Sequence, residues 1–362
     1  QKDFSMALIQ AKSLDRRLKE DGNRVYQMAQ LSLSNEDYES AIDGFSYIVS
    51  KGTSSPWYWK SRIDLLNTRF AKIIAQPGTP PAALSALEKE FAAEIAGQQM
   101  NSENSGLYKN YAHLLAFYLD KTTEAIDLLN RVLNNSSIDA KHKAECKLEM
   151  ADIQLFSGDV WESTLLYQQV YQDFKNDVMG ETAKFKNAKL SYYIGEFKWA
   201  QTQLDILKAA TSRLIANDAM ELALLISENF DPDSGHVALT YYSHADLLDY
   251  RNHEDAALQT LDSIFKAFSY HEIFDEVLLK QANIKLKQGK VADADTLLGT
   301  LISRYPEGVR ADEALYLRAK INEDKKDKAM NYYSQLMNRY PGSVFVVDAR
   351  KRYRTLRGDN VQ

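Results

Sequence analysis

The chain has a single cysteine, Cys146, among 362 residues, which excludes an internal disulfide and any multi-cysteine metal site. Its neighbours read as the surroundings of a small buried hydrophobe. Proline and glycine are also sparse, 7 and 15, so long linkers and disordered tracts are not expected. No run of about eighteen apolar residues occurs, which removes a membrane-crossing helix, and no charged-then-apolar leader opens the chain. The first residue is Gln1, which fits either a secretory signal already removed or a trimmed chain. Reactive signatures are missing as well. There is no phosphate-cradling GxxxxGK, no GxSxG elbow, no GxGxxG after a strand, and no strand pattern. His236, His244 and His253 are spaced by 8 and 9 residues, not by the one turn that HExxH ligation uses. They read as surface or turn histidines, and Glu254 and Asp255 beside His253 lack a nucleophile. The expectation is a non-enzyme with no metal, no cofactor and no catalytic residue.

Charge is close to balanced. Lys and Arg number 44 against 50 Asp and Glu, a net charge of −6, so no global field favours nucleic acid or an anionic membrane surface. Hydrophobic residues at 45% and charged residues at 26% are ordinary for a folded chain, yet 362 residues exceed the size at which one core stops growing. Two domains or an elongated repeat array are the alternatives. The C-terminal region favours the array, because SRYPEGVRADEAL at Ser303 to Leu315 returns as NRYPGSVFVVDAR at Asn338 to Arg350, with Pro306 and Pro341 35 residues apart. That spacing belongs to stacked helix pairs, which bury one continuous core and expose an extended wall.

A common pattern runs through the chain: a first helix carrying a small residue, a turn with Gly, and a second helix that opens on Ala before large apolar residues. The three clearest copies turn at Gly158, Gly195 and Gly289. The anchors of the second helices are Ala41, Ala125, Ser163, Ala200, Ala257, Ala294 and Ala329. The 84-residue gap after Ala41 fits a hidden long unit with helices near Trp57 to Ile74 and Pro81 to Ala96, around the break QPGTPP. The 57-residue gap after Ala200 holds an additional helix, Asn217 to Phe230, N-capped by Asn217 and followed by a DPDSG turn that reads as a hinge. Val344 to Leu356 presents Arg350, Lys351, Arg352, Arg354 and Arg357 as a basic capping helix, with an anionic docking patch as the alternative. The predicted organisation is helix pairs over 1–100, central units over 101–215, the extra helix and hinge over 216–235, further units over 236–341 and the cap over 342–362. The amphipathic stripe of Phe4, Ala7, Leu8, Ala11, Leu14 and Leu18 looks like a helix already stacked on an earlier repeat.

These pairs resemble tetratricopeptide repeats, over about four-fifths of the chain. The resemblance implies an all-α fold, an α-α superhelix or TPR-like solenoid of about eight to nine units. LISRYPEGVRADEAL, LMNRYPGSVFVVDARKRYRTLRGD and the closing ARKRYRTLRGD look like the bacterial cell-envelope branch and its exported Bacteroidetes-type members. This implies a bacterial periplasmic address, outer-membrane associated or not, with the cytoplasm as the alternative. Chaperone-binding members use paired Lys and Asn on their first helices. The corresponding positions here are Tyr26 and Gln30, Asn110 and Leu114, Leu148 and Asp152, Phe185 and Lys189, Tyr242 and Asp246, and Leu279 and Asn283, so that clamp is absent.

The 21 tyrosines are the compositional excess. Tyr192, Tyr193, Tyr242 and Tyr250, with Lys189 and Asp246, are expected to line the concave wall and grip a partner polypeptide, since Tyr offers large area at low rotamer cost. The alternative is that these rings merely pack between helices. In Trp57-Tyr58-Trp59 successive side chains point about 100° apart, so at least one ring should stay exposed. The functional expectation is a protein-binding scaffold in an envelope complex, with no nucleic acid partner and any membrane association peripheral, through a complex. The alternative is a structural subunit of an outer-membrane transport or assembly machine that uses its convex face or terminal helix.

Overall fold

The computed structural model describes residues 3–75, 80–230 and 236–359. Among them the chain is all-α, with nineteen α-helices, one 3-10 turn at Gly52–Ser54 and no strand. It divides into two compact units, Gln1–Ala183 and Lys184–Gln362. The first holds α1 (Phe4–Leu18), α2 (Asn23–Ser34), α3 (Tyr38–Ser50), α4 (Tyr58–Ile74), α5 (Pro81–Ala96), α6 (Ser105–Tyr118), α7 (Thr122–Leu133), α8 (Ala140–Ser157) and α9 (Val160–Asp173). The division falls within α10 (Val178–Tyr193). The second continues with α11 (Phe197–Leu207), α12 (Arg213–Glu228), α13 (Val237–Tyr250), α14 (Glu254–Ala267), α15 (Phe274–Lys287), α16 (Val291–Arg304), α17 (Ala311–Lys320), α18 (Lys326–Arg339) and α19 (Val346–Arg357).

The anchor pattern has a simple structural meaning. Ala41, Ala125, Ser163, Ala200, Ala257, Ala294 and Ala329 are each the fourth residue of a second helix, and each has 0% exposure. Four residues later come Phe45, Leu129, Tyr167, Leu204, Leu261, Leu298 and Tyr333, all buried. Three further on, Ile48, Val132, Val170, Leu207, Ile264, Leu301 and Leu336 complete the stripe. Spacings of 4 and 7 place these side chains on one face, and the small residue lets the partner helix come close. The N-termini are held in part by Asp37, Asp139 and Asp159, whose carboxylates accept from the backbone N–H three residues on at 3.0–3.1 Å. Gly158, Gly195 and Gly289 turn the chain between partners with φ of 105°, 83° and 72°, a region that costs other residues about 1 kcal/mol or more.

In the first unit α2 packs on α3, α6 on α7 and α8 on α9. The helices come close at Gly44 of α3, where an added Cβ would stand 2.7 Å from Ala29 Cβ and 3.1 Å from Leu8 Cδ1. The hidden unit is present as α4 and α5, although Leu84 occupies the anchor position of α5. Trp57 stacks on Tyr26 with centroids 4.6 Å apart, while Trp59 stays 52% exposed, as the spacing of the aromatic run requires. Cys146 is buried, and burial pushes its thiol up to about 12, so it serves as a small hydrophobe.

In the second unit α13 packs on α14, α15 on α16 and α17 on α18. The duplicated Arg-Tyr-Pro closes α16 and α18 in the same way. Tyr305 and Tyr340 take φ −126° with ψ 58° and 60°, and the Tyr340 hydroxyl donates to the Pro306 carbonyl at 2.6 Å, tying one copy to the next. One boundary and one charge differ from the sequence expectation. The extra helix, α12, starts at Arg213 rather than Asn217: Ser212 accepts from the Ile215 N–H at 3.5 Å, and Ile215 and Ala216 begin its buried face a turn earlier. In α19 the cation Arg352 is not a free surface charge, since it bonds Asp348 at 2.6 Å and Glu323 at 3.0 Å. The hinge at 231–235 and the break at 76–79 lie outside the described residues.

Candidate functional site

The first helices of the second unit carry polar groups off the buried stripes. A cleft of about 460 Å³ opens among α10, α12, α13, α15 and the start of α17. Phe185 and Lys189 of α10, Tyr242 and Asp246 of α13, and Leu279 and Asn283 of α15 all line it, so the pairs that sequence alignment set at successive first-helix positions meet on one surface. The 4-residue spacing within each pair keeps both members on one helix face.

Tyr192 is fully buried at the cleft floor, and its hydroxyl donates to Asp246 Oδ2 at 2.9 Å. The other oxygen of Asp246 bonds the Lys280 ammonium at 2.7 Å, and Lys280 also reaches Asp249 Oδ2 at 2.8 Å. Burial works against the charge on Lys280, but the two carboxylates outweigh it and raise its pKa above the ordinary lysine value. The same chain of charges depresses Asp249, against its own burial, through Lys280 and Lys287. Tyr192 and Tyr242 are driven well above the usual phenol range, first by burial and then by the Asp246 charge. Neither ring ionises in any ordinary buffer, so both act as apolar surface, and the Tyr192 hydroxyl is fixed on Asp246.

Lys189 differs from the other cations here. It is exposed, yet the cleft walls crowd it, and this desolvation lowers its pKa despite the field of Asp246. Its ammonium lies 5.7 Å from the Tyr193 ring centre, and among the described residues no carboxylate stands within ion-pairing distance of it. On the opposite wall Arg310 pairs with Glu221 at 3.0 Å and Glu313 at 3.4 Å. The cleft therefore offers one uncommitted donor, the exposed amide of Asn283 and the exposed carboxylate rim at Glu221, over a floor of Tyr and Leu. It can hold and orient a chain segment by hydrogen bonds and apolar contact.

Of the six residues anticipated as a partner site, Lys189, Tyr192, Tyr242 and Asp246 line the cleft. Tyr193 and Tyr250 do not; they pack against each other with ring centres 6.1 Å apart. Sequence reading missed Asp218, Glu221, Leu222 and Leu225 of α12, together with Lys280, Arg310 and Glu313. Lys280 falls one turn before Asn283, the position aligned with Asp246, so the repeat register alone did not single it out.

Comparison with known families matches residues 276–308 and 313–343 to the Tetratricopeptide repeat, that is, α15 with α16 and α17 with α18. No curated protein matches significantly. Among solved structures the chain is similar to the human IFIT1 dimer with m7Gppp-AAAA, at 12% identity and TM-score 0.42 over 97% of this chain and 77% of that one. It is similar to the apo form of RapI at 12% identity and TM-score 0.42, over 93% and 97%. A tetratricopeptide repeat protein from Parabacteroides merdae aligns at 13% identity and TM-score 0.29, over 92% and 99%. The matched repeats support a tetratricopeptide-repeat protein and, with it, a protein–protein interaction scaffold.

Proposed function

We propose that the chain is a non-catalytic adaptor that holds an extended segment of a partner protein along the first-helix face of its second unit, as the concave wall of a repeat array. The observation that carries this reading is Lys189, an exposed cation with no carboxylate partner among the described residues, set over a preformed floor of buried Tyr192 and Tyr242. A surface already ordered by its own ion pairs spares the ordering cost on docking. The bacterial envelope address, periplasmic and in an outer-membrane-associated complex, belongs to the same proposal and is supported by the Arg-Tyr-Pro repeat phrases.

A photo-crosslinking residue in place of Asn283 in the native cells should give a discrete adduct in the periplasmic fraction, and Lys189→Glu should abolish it. The second reading, an edge contact through α19, is favoured by Val344 and Val347, 84% and 78% exposed beside the exposed Arg350 and Lys351. Adducts from position 347 and none from position 283 would replace the cleft by the terminal helix.

A further inference from the structure

A second cavity of the same unit, about 520 Å³, lies between the end of α12, the start of α15 and the turn joining α16 to α17. Two of its residues hold polar atoms with nothing to bond. Glu276 is 4% exposed and Asn229 3% exposed, and among the described residues Glu276 Oε2 and Asn229 Oδ1 have no hydrogen-bond partner. Asn229 is fixed by its amide, which donates to the Leu225 carbonyl at 2.9 Å, so its oxygen is the end left over. Asn229 Oδ1 is an acceptor, and Glu276 Oε2 becomes one once its carboxyl ionises. An uncompensated buried acceptor costs about 1–3 kcal/mol, and most are paired.

The surroundings are built rather than incidental. Asp275, 5% exposed, accepts from the Glu276 N–H at 3.0 Å and from the Arg310 N–H at 3.4 Å. The loop fits closely over it: a Cβ on Gly308 would stand 2.6 Å from Asp275 Oδ2. Five carboxyl residues line the cavity against one cation, Arg304, and the rings of Tyr270 and Tyr305 complete it. Burial, reinforced by Asp275, pushes Glu276 well above the usual carboxylate range, which favours a neutral wall that a positive occupant would ionise.

The geometry points to a binding site for a guanidinium group in this cavity, with Glu276 and Asn229 as its hydrogen-bond acceptors. Acceptors without donors, a surplus of carboxyl groups and two aromatic faces call for a cation that donates in several directions. Guanidinium fits better than ammonium because its planar fork reaches acceptors on two different elements, stacks on tyrosine and is less strongly hydrated. The group arrives either on a small molecule or on an arginine side chain of a peptide.

Isothermal titration of the full chain with agmatine, and separately with the blocked tripeptide acetyl-Gly-Arg-Gly-amide, tests the site and separates the two sources by which probe binds more tightly. Glu276→Gln keeps the shape and removes the ionisable acid; it should weaken the better probe by roughly tenfold or more, with helicity by circular dichroism unchanged. Butylamine should bind more weakly than agmatine. Removal of the competing exposed cation by Arg304→Gln should tighten binding. Native affinity in Glu276→Gln, or no heat from either probe up to about 10 mM, overturns the assignment. Should Glu276→Gln fail to fold, unchanged or weaker binding in Arg304→Gln overturns it instead.

Discussion

The two units solve one packing problem in different ways. In the first, the Tyr26 hydroxyl on α2 donates to Asp64 of α4 at 2.6 Å and Gln30 donates to the same oxygen at 2.8 Å, so neutral groups bond a half-buried carboxylate. In the second, Tyr192 on α10 donates to Asp246 of α13, but the acid is bonded by a cation, Lys280, as well. Burial raises Asp64 above the ordinary aspartate value, whereas Lys280 and Lys287 hold Asp249, next to Asp246 on α13, below it. A tyrosine-to-aspartate bond between successive first helices serves as a latch in both. The ion pair is added at the polar cleft and again at α19, where Asp348 accepts from Tyr316 at 2.6 Å and pairs with Arg352 at 2.6 Å, so it recurs along the second unit and is not confined to the cleft.

This contrast can be broken most forcefully at Lys280. Lys280→Met leaves Asp246 without a cation and Asp249 with Lys287 alone, and should cost about 3 kcal/mol in urea unfolding of the second unit. A loss below about 1 kcal/mol would mean that the pair is superficial. Next in size, aspartate-to-asparagine changes should act in opposite directions. Asp246→Asn leaves Lys280 short of a partner and should lose about 2 kcal/mol, while Asp64→Asn keeps both hydrogen bonds and should be neutral or stabilising by up to about 1 kcal/mol.

The same asymmetry predicts pH dependence. Asp64 has a folded pKa above its unfolded one, so its contribution is present below the unfolded pKa and is lost as pH rises through the folded value. Asp249 has a depressed folded pKa, so its contribution is present above the unfolded pKa and is lost as pH falls through the folded value. Hydrogen exchange over about pH 3 to 6, corrected for intrinsic rates, should therefore show α13 protection falling with acid while α4 is spared. Parallel losses in both would erase the distinction. The smallest effect is expected from the latches themselves: Tyr26→Phe and Tyr192→Phe should each cost about 1 kcal/mol by thermal or urea midpoint, with Tyr26→Phe the milder because Gln30 still bonds Asp64.

The helices were legible wherever packing dictates a period. Seven anchors spaced around a repeat length marked seven second helices, because a small fourth residue with large apolar residues four and seven positions later is what a close helix crossing demands. The pattern faded at α5, where Leu84 takes the anchor place and the buried residues run Leu84, Leu87, Phe91 instead. It misplaced the start of α12 because Ser212 and Asn217 are both good caps, and only the burial of Ile215 and Ala216 chooses between them. The cleft was half legible. Aligned first-helix positions carried Lys189, Tyr242 and Asp246, but Arg310 and Glu313 owe their place to the turn after Pro306, and α12 interrupts the repeat. Polar residues on a surface obey no period, so their meeting depends on tertiary packing that sequence spacing does not encode.

The buried small residue at the fourth position of seven second helices, alanine in six and serine in one, makes those modules interchangeable in kind. Because each is keyed by a small residue at the same step, a whole unit can be duplicated or excised without recutting its neighbours, and the array can lengthen by copying before any new surface has to be invented. The near-twin phrases around Pro306 and Pro341, still joined by a tyrosine hydroxyl on a proline carbonyl, have the form such a copy would leave.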